Sequence, residues 1–202
     1  MHRKTLTLFA AAALAATTSA TALAAPGHNP GHGNHGARAR TATAPGVVVS
    51  RRSLTPSSDQ LAKCMPGAQV RVTLESSTDQ KGFDKLRIHA RRLPPNRDFT
   101  VFLLETAGSP FGAAQYSGDI TTDAKGRADN EFRLIVDEAF SSTIVNGQRV
   151  RVDLNQMGMW FADPADDDFC LGANSPVTPF DGDNEAGVQA FNSANTTPLP
   201  AP

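Results

Sequence analysis

Leu86-Arg87-Ile88-His89-Ala90-Arg91-Arg92-Leu93-Pro94-Pro95-Asn96-Arg97-Asp98-Phe99-Thr100-Val101-Phe102-Leu103-Leu104 is the stretch that decides the fold. Its first part alternates with a period of two. Leu86, Ile88 and Ala90 fall on one face of a strand, and Arg87, His89 and Arg91 on the other. Its last part, Phe99 to Leu104, is nearly continuous apolar sequence and predicts a strand in the interior of a sheet. Between them, Leu93-Pro94-Pro95-Asn96-Arg97-Asp98 cannot continue a ladder, because proline has no N–H to give and the remaining residues favour turns.

The same period runs outward in both directions. Val70, Val72 and Leu74 alternate with Arg71, Thr73 and Glu75. Phe132, Leu134 and Val136 alternate with Glu131, Arg133 and Ile135, and Val150, Val152 and Leu154 with Arg149, Arg151 and Asp153. Val47 to Arg51 and Gln115 to Thr121 are weaker strand candidates, and Thr122-Asp123-Ala124-Lys125-Gly126 and Asn146-Gly147 are hairpin-type punctuation. One short helix is expected, around Asp137 to Val145. After Phe161 the pattern dissolves into Asp, Gly, Pro and Asn, which predicts a long C-terminal loop held by anchors such as Val177, Phe180, Val188 and Phe191. Short strands at regular spacing, with no long 3.6-residue period, define an all-β chain folded as an antiparallel sandwich or a closed barrel-like sheet.

The N-terminus reads as a signal for export. Met1-His2-Arg3-Lys4 carries two fixed positive charges, Thr5 to Leu23 is uncharged and apolar, and Ala22-Leu23-Ala24 is the small-x-small pattern of a cleavage site. Residues 1–24 are therefore read as a signal peptide and not as a transmembrane anchor, since the Ala- and Thr-rich run is only weakly apolar. Residues 25–45, rich in Gly, Pro and His, form a leader with no large apolar side chain to offset the entropy of ordering. The expected sandwich domain spans 46–195, followed by a short disordered tail, 196–202. Cys64 and Cys170 are the two cysteines, and in an oxidising compartment they are expected to pair. Closing a loop of roughly a hundred residues is worth about 4.7 kcal/mol in the chain-entropy model.

The run Leu86 to Leu104, followed by Gly118-Asp119-Ile120-Thr121-Thr122-Asp123-Ala124-Lys125-Gly126-Arg127-Ala128, resembles the central hairpins of secreted sandwich domains such as the chordin-type CHRD domain. It also looks like uncharacterised secreted bacterial proteins that end in an acidic Trp-Phe-Ala-Asp-Pro-Ala-Asp-Asp segment. The resemblance implies an immunoglobulin-like or CHRD/SOD-like Greek key. The histidine that CHRD domains place after the Pro-Pro turn is missing from Val101-Phe102-Leu103.

Charge is unevenly distributed. All 19 Lys and Arg lie at or before Arg151, while eight of the 20 acids follow it, so the C-terminal quarter is purely acidic and would repel nucleic acid. Asp163, Asp166, Asp167 and Asp168 precede Cys170, and Asp181, Asp183 and Glu185 follow it; carboxylates alternating with small residues can turn several oxygens toward one hard cation such as Ca2+. This is no EF-hand, because the sixth position from Asp181 is Ala186 and the twelfth is Asn192. The competing reading is a solvated acidic loop. His28, His32 and His35 in the leader form a second, weaker metal candidate, and His89 sits on a polar strand face beside Arg87 and Arg91.

Met157-Gly158-Met159-Trp160-Phe161 holds the one tryptophan. Trp160 is either a core ring or, beside bound calcium, a surface for stacking on a sugar. The basic row Arg71, Arg87, Arg91, Arg149 and Arg151 suits an anionic cell-wall polymer or simply a mixed solvent face. No GxSxG, HExxH or glycine-rich phosphate loop is present, and one histidine in the expected domain is too few for copper-zinc dismutase chemistry. The leading reading is a secreted, non-enzymatic β-sandwich binding or structural module, partnered by a cell-wall polymer, a glycan or another extracellular protein. The alternative is an extracellular polysaccharide or cell-wall hydrolase using acidic-loop carboxylates such as Asp167 and Asp183.

Overall fold

A computed structural model describes residues 46–179 and 184–199. The signal-peptide and leader expectations, the leader histidines, Phe180, Asp181 and Asp183 lie outside the described residues. Ten strands are described: β1 Val48–Pro56, β2 Gln69–Ser76, β3 Asp84–Arg91, β4 Asp98–Leu104, β5 Ala114–Thr121, β6 Ala128–Leu134, β7 Phe140–Val145, β8 Gln148–Asp153, β9 Gln156–Phe161 and β10 Gln189–Asn192. Three short helices accompany them: α1 Asp59–Cys64, α2 Thr78–Lys81 and α3 Asp168–Leu171, the last entered through a 3-10 turn, Pro164–Asp167.

All ladders are antiparallel. Eight strands run in the order β5-β4-β9-β10-β1-β2-β3-β6, with β7-β8 as a separate pair. The long order divides into two four-stranded layers, joined among the described residues by a short ladder where Thr55 and Pro56 of β1 meet Asn192 and Phe191 of β10, extended by the Ser57 N–H donating to the Ala190 carbonyl. Alternate residues of the two layers share one buried cluster: Val70, Val72, Leu74, Leu86 and Ile88 from the first, and Phe99, Val101, Leu103, Met157, Met159 and Phe161 from the second. That is the antiparallel sandwich that the period of two predicts.

The continuous apolar run of β4 is explained by burial on both faces. Phe99, Val101 and Leu103 enter the main core, while Phe102 and Leu104 join Trp160, Ala186 and the partly buried Phe111 in a second cluster. The alternation of β2 and β3 is equally literal, with the odd face of each strand carrying Arg71, Arg87 and His89 outward.

Several expectations are corrected. The Pro-Pro turn closes no hairpin: β3 pairs with β2 and β6, and β4 with β5 and β9, so Leu93 to Arg97 carries the chain from one layer to the other. The turn after β5 makes the same crossing. There Gly126, at φ +66, passes so close to the Pro-Pro turn that an added Cβ would stand 1.9 Å from the Leu93 carbonyl oxygen. Gly118, at φ +140 beside the β4–β5 irregularity, leaves room for the Phe132 ring of β6.

Asp137 to Val145 is not a helix; a turn leads into β7, whose Ser141-Ser142-Thr143-Ile144-Val145 is rich in helix-disfavouring hydroxyl and β-branched side chains. Asn146 and Gly147, both at positive φ, close β7 onto β8. This hairpin stands away from the core, with Val150 41% exposed and Ile144 63%.

The C-terminal segment is only partly loop. Phe191 is fully buried in β10 and Val188 packs against the core, whereas Val177 is exposed. The expected tail also joins the domain as far as Leu199, which is buried; its N–H donates to the Asn155 carbonyl at 2.7 Å, and Arg52 Nε donates to the Thr197 carbonyl at 2.6 Å.

Cys64 and Cys170 form the expected disulfide, linking α1 to α3 across 106 residues with their Cα atoms 5.7 Å apart. Among the described residues, no helix is long and apolar enough to cross a membrane.

A buried carboxylate fastens the far end of the first layer. Asp84 Oδ1 accepts the N–H groups of Ser77 and Thr78, and Oδ2 those of Val136 and Asp137, at 2.7–2.9 Å. Burial alone would push this carboxyl up, but the backbone donors outweigh it and hold it below the ordinary aspartate range. A depressed folded pKa contributes stability that is complete above the ordinary value of about 3.9 and is lost as pH falls through the lower folded value. Asp84→Asn puts an NH2 group against two backbone donors and is expected to cost about 3 kcal/mol or more by urea denaturation at pH 7. The difference from wild type should shrink in melts run progressively below pH 4.

Candidate functional site

The crossovers and the disulfide gather at one end of the sandwich. The β3–β4 turn is held to the β5–β6 turn by Thr122, which is buried; its hydroxyl donates to the Pro94 carbonyl at 2.7 Å and accepts the Arg97 N–H at 2.9 Å. Asp123 Oδ1 accepts the N–H groups of Lys125 and Arg127 and shapes the neighbouring turn. Against this framework lies an open polar cleft of about 600 Å³. Asp98 opens β4 on its floor and Asp119 lies near the end of β5, while Asp163 and Asp166 enter from the 3-10 turn after β9. Asn96, Thr121 and Asn184 complete its polar lining with Arg97.

Four aspartates and one arginine thus line the cleft. Arg97 Nη1 donates to Asp166 Oδ1 at 2.7 Å. Burial pushes the Asp166 carboxyl up, Arg97 pulls it down, and Asp163 and Asp98 push it up again. Asp163 also caps the 3-10 turn, its Oδ1 accepting the Ala165 N–H at 2.8 Å. Asp119 Oδ2 accepts the Tyr116 hydroxyl at 2.9 Å.

The three consecutive aspartates read as a metal candidate have separate settings. Asp166 faces the cleft and Arg97. Asp167 is fully buried and latches the C-terminal segment: Oδ1 accepts the Ser175 hydroxyl and Oδ2 the Val188 N–H at 2.8 Å. Asp168 opens α3, and Glu185 is exposed beside Asn184 of the cleft rim. Among the described residues, no three His, Cys, Asp or Glu side chains come together as a metal-holding group.

Trp160 is 3% exposed, so the surface-stacking expectation gives way to the core one. Phe102 and Phe111 meet it edge-on, with centroids 5.3 and 5.0 Å away. Gly158 makes space for the indole, since a Cβ there would stand 2.4 Å from it.

The basic row does not act as one surface. Arg87 pairs with Glu131 at 2.7 Å and His89 with Asp129 at 3.0 Å on the outer sheet, while Arg149 and Arg151 ride the β7–β8 hairpin. Arg91 instead joins Arg92, Lys125, Arg127 and Gln69 around a depression of about 290 Å³ beside the β3–β4 turn. Asp98 and Asp119 were not singled out from sequence; their one local signal is an acid beside a crossover turn, which turn chemistry also explains.

The cleft offers hydrogen-bonding groups of the kind that recognise hydroxyls and amines, on rigid strand ends and with a negative bias. Among the described residues, no histidine, cysteine or serine lines it. No protein-family model, curated protein or solved structure shows a significant match to this chain.

Two measurements check this geometry. Iodide should leave Trp160 fluorescence nearly unquenched in the native protein and quench it fully in urea; efficient native quenching contradicts the buried ring. Asp167→Ala strands two partly buried donors and is expected to cost about 2–4 kcal/mol in urea denaturation.

Proposed function

We propose that this chain is a secreted, non-enzymatic β-sandwich module that binds a neutral or cationic glycan or cell-wall polymer in the polar cleft. The observation that carries this reading is the convergence of Asp98, Asp119, Asp163 and Asp166 on one open groove with a single arginine. Such a groove favours ligands rich in hydroxyls or amines and repels polyanions. Export is supported by the leader pattern of residues 1–24 and by a disulfide of the kind that persists in oxidising compartments. Hydrolysis through Asp167 finds no support, because that carboxylate is fully buried and already accepts hydrogen bonds from Ser175 and Val188.

The test is retention of the purified, oxidised protein on a panel of neutral, cationic and anionic polysaccharides, with product analysis of the supernatant. Neutral or cationic polymers should retain it, and Asp119→Lys should weaken binding about tenfold or more, a loss of about 1.4 kcal/mol. Arg151→Ala, on the distant hairpin, should bind as wild type. Retention on anionic polymers alone, on none, or release of soluble sugars would overturn the reading.

A further inference from the structure

The β7–β8 hairpin has no ladder to the main layers, and several of its apolar side chains face solvent. Phe140 is 56% exposed, Ile144 63% and Val145 49%. Its two outer edges differ in charge. Natural sheets guard an open edge with charged side chains, bulges or proline, because unpaired N–H and C=O groups invite another strand. The open edges of β5, β6, β8 and most of β1 follow that rule, with Asp119, Glu131, Arg149 and Arg51 among their residues. Phe140-Ser141-Ser142-Thr143-Ile144-Val145, the whole of β7, carries no charge, no proline and no bulge.

The turn fixes which backbone groups of β7 are open. Val145 and Gln148 flank the two-residue Asn146-Gly147 turn and so form a hydrogen-bonded pair. In an antiparallel ladder such pairs alternate with non-hydrogen-bonded ones. Ser141 and Thr143 therefore also bond to β8, while Phe140, Ser142 and Ile144 direct their N–H and C=O groups away from it. The root of the hairpin keeps this alternation, since the Leu154 N–H donates to the Ala139 carbonyl at 2.9 Å.

We propose that the open edge of β7 pairs antiparallel with β7 of a second copy of this chain, about a two-fold axis at Ser142. Opposed residues must share one side of the joined sheet, and only outward-directed backbone groups can bond. The register centred on Ser142 meets both conditions and pairs the most residues. It sets Ser142 against Ser142, and Phe140 against Ile144 of the second copy. That aromatic and β-branched pair covers the two most exposed apolar side chains of the hairpin. Charge selects this edge over its neighbour, because the same operation on β8 sets Arg151 against its own copy. Pairing through β7 keeps the two Arg151 residues on outer strands about 14 Å apart, beyond the screening length of about 8 Å. One short edge makes a small interface, so the association is reversible and depends on concentration.

The experiment is sedimentation velocity of the purified, oxidised protein over a concentration series reaching about 1 mM, joined to cross-linking through an introduced thiol. The wild type should shift from monomer to dimer and no further. Ser142→Pro removes an N–H that β8 does not use, so it should fold and stay monomeric. Ser142→Cys adds the one free thiol, because Cys64 and Cys170 are paired, and mild oxidation should join two chains through it. Arg151→Cys, at the matching place on β8, should stay largely unjoined. A wild type that is monomeric throughout, a Ser142→Pro protein that dimerises as wild type does, or Arg151→Cys joining as fast as Ser142→Cys overturns the proposal. So does a monomer whose Ser142 N–H exchanges slowly with deuterium, since another part of the same chain then covers the edge.

Discussion

The structure depends on one strand having no wet face. β4 is apolar at almost every position, so a single core can satisfy only half of it. The inner half is met by the facing layer. The outer half needs a separate cover, which Phe111, Trp160 and Ala186 supply by bringing the β4–β5 loop and the C-terminal segment across the sheet. Much of the C-terminal route follows from that need. The chain leaves β9 through the 3-10 turn, is latched by Asp167, and returns as β10 to close the two layers. The cleft lies at the bend of this route, between carboxylates of the covering segment and carboxylates of the strands it covers.

Rigid strand ends and crossover turns give the cleft its precision. Thr122 ties two crossings together from a buried position, and Gly126 permits their close approach. Groups held in this way need little reordering when a ligand arrives, which is the main source of affinity in a polar site. The opposite end follows a different logic: there one buried carboxylate, Asp84, gathers four backbone donors from two connections.

Most of the sandwich was legible because its signal is local. Val70, Val72 and Leu74, or Leu86, Ile88 and Ala90, announce a half-buried strand without reference to any other residue, and two cysteines in one chain admit one intramolecular pairing. What was not legible is set by partners distant in sequence. Asp137 to Val145 reads as a short helix from sequence, and its second half is a strand through pairing with β8. The Pro-Pro turn looked like the tip of a hairpin, and nothing in those residues says that the next strand belongs to the other layer. Asp166, Asp167 and Asp168 are consecutive acids in the sequence; a guanidinium and a partly buried N–H separated two of their roles. The cleft was half visible for the same reason: its acidic segment stood out by composition, whereas Asp98 and Asp119 acquire their meaning only from strand register.

The position of the disulfide has a mechanical consequence. Cys64 and Cys170 enclose β2 to β9 in a covalent ring, and the strands left outside it, β1 and β10, are the two that pair to join the layers. A pull applied to both ends of the oxidised chain loads that short seam together with the seven-pair ladder of β1 on β2. Once the seam parts, the tether can lengthen only by the residues outside the ring, because the sulfur bridge short-circuits 106 positions of contour. Oxidation therefore limits how far this molecule can be stretched as well as how readily it unfolds.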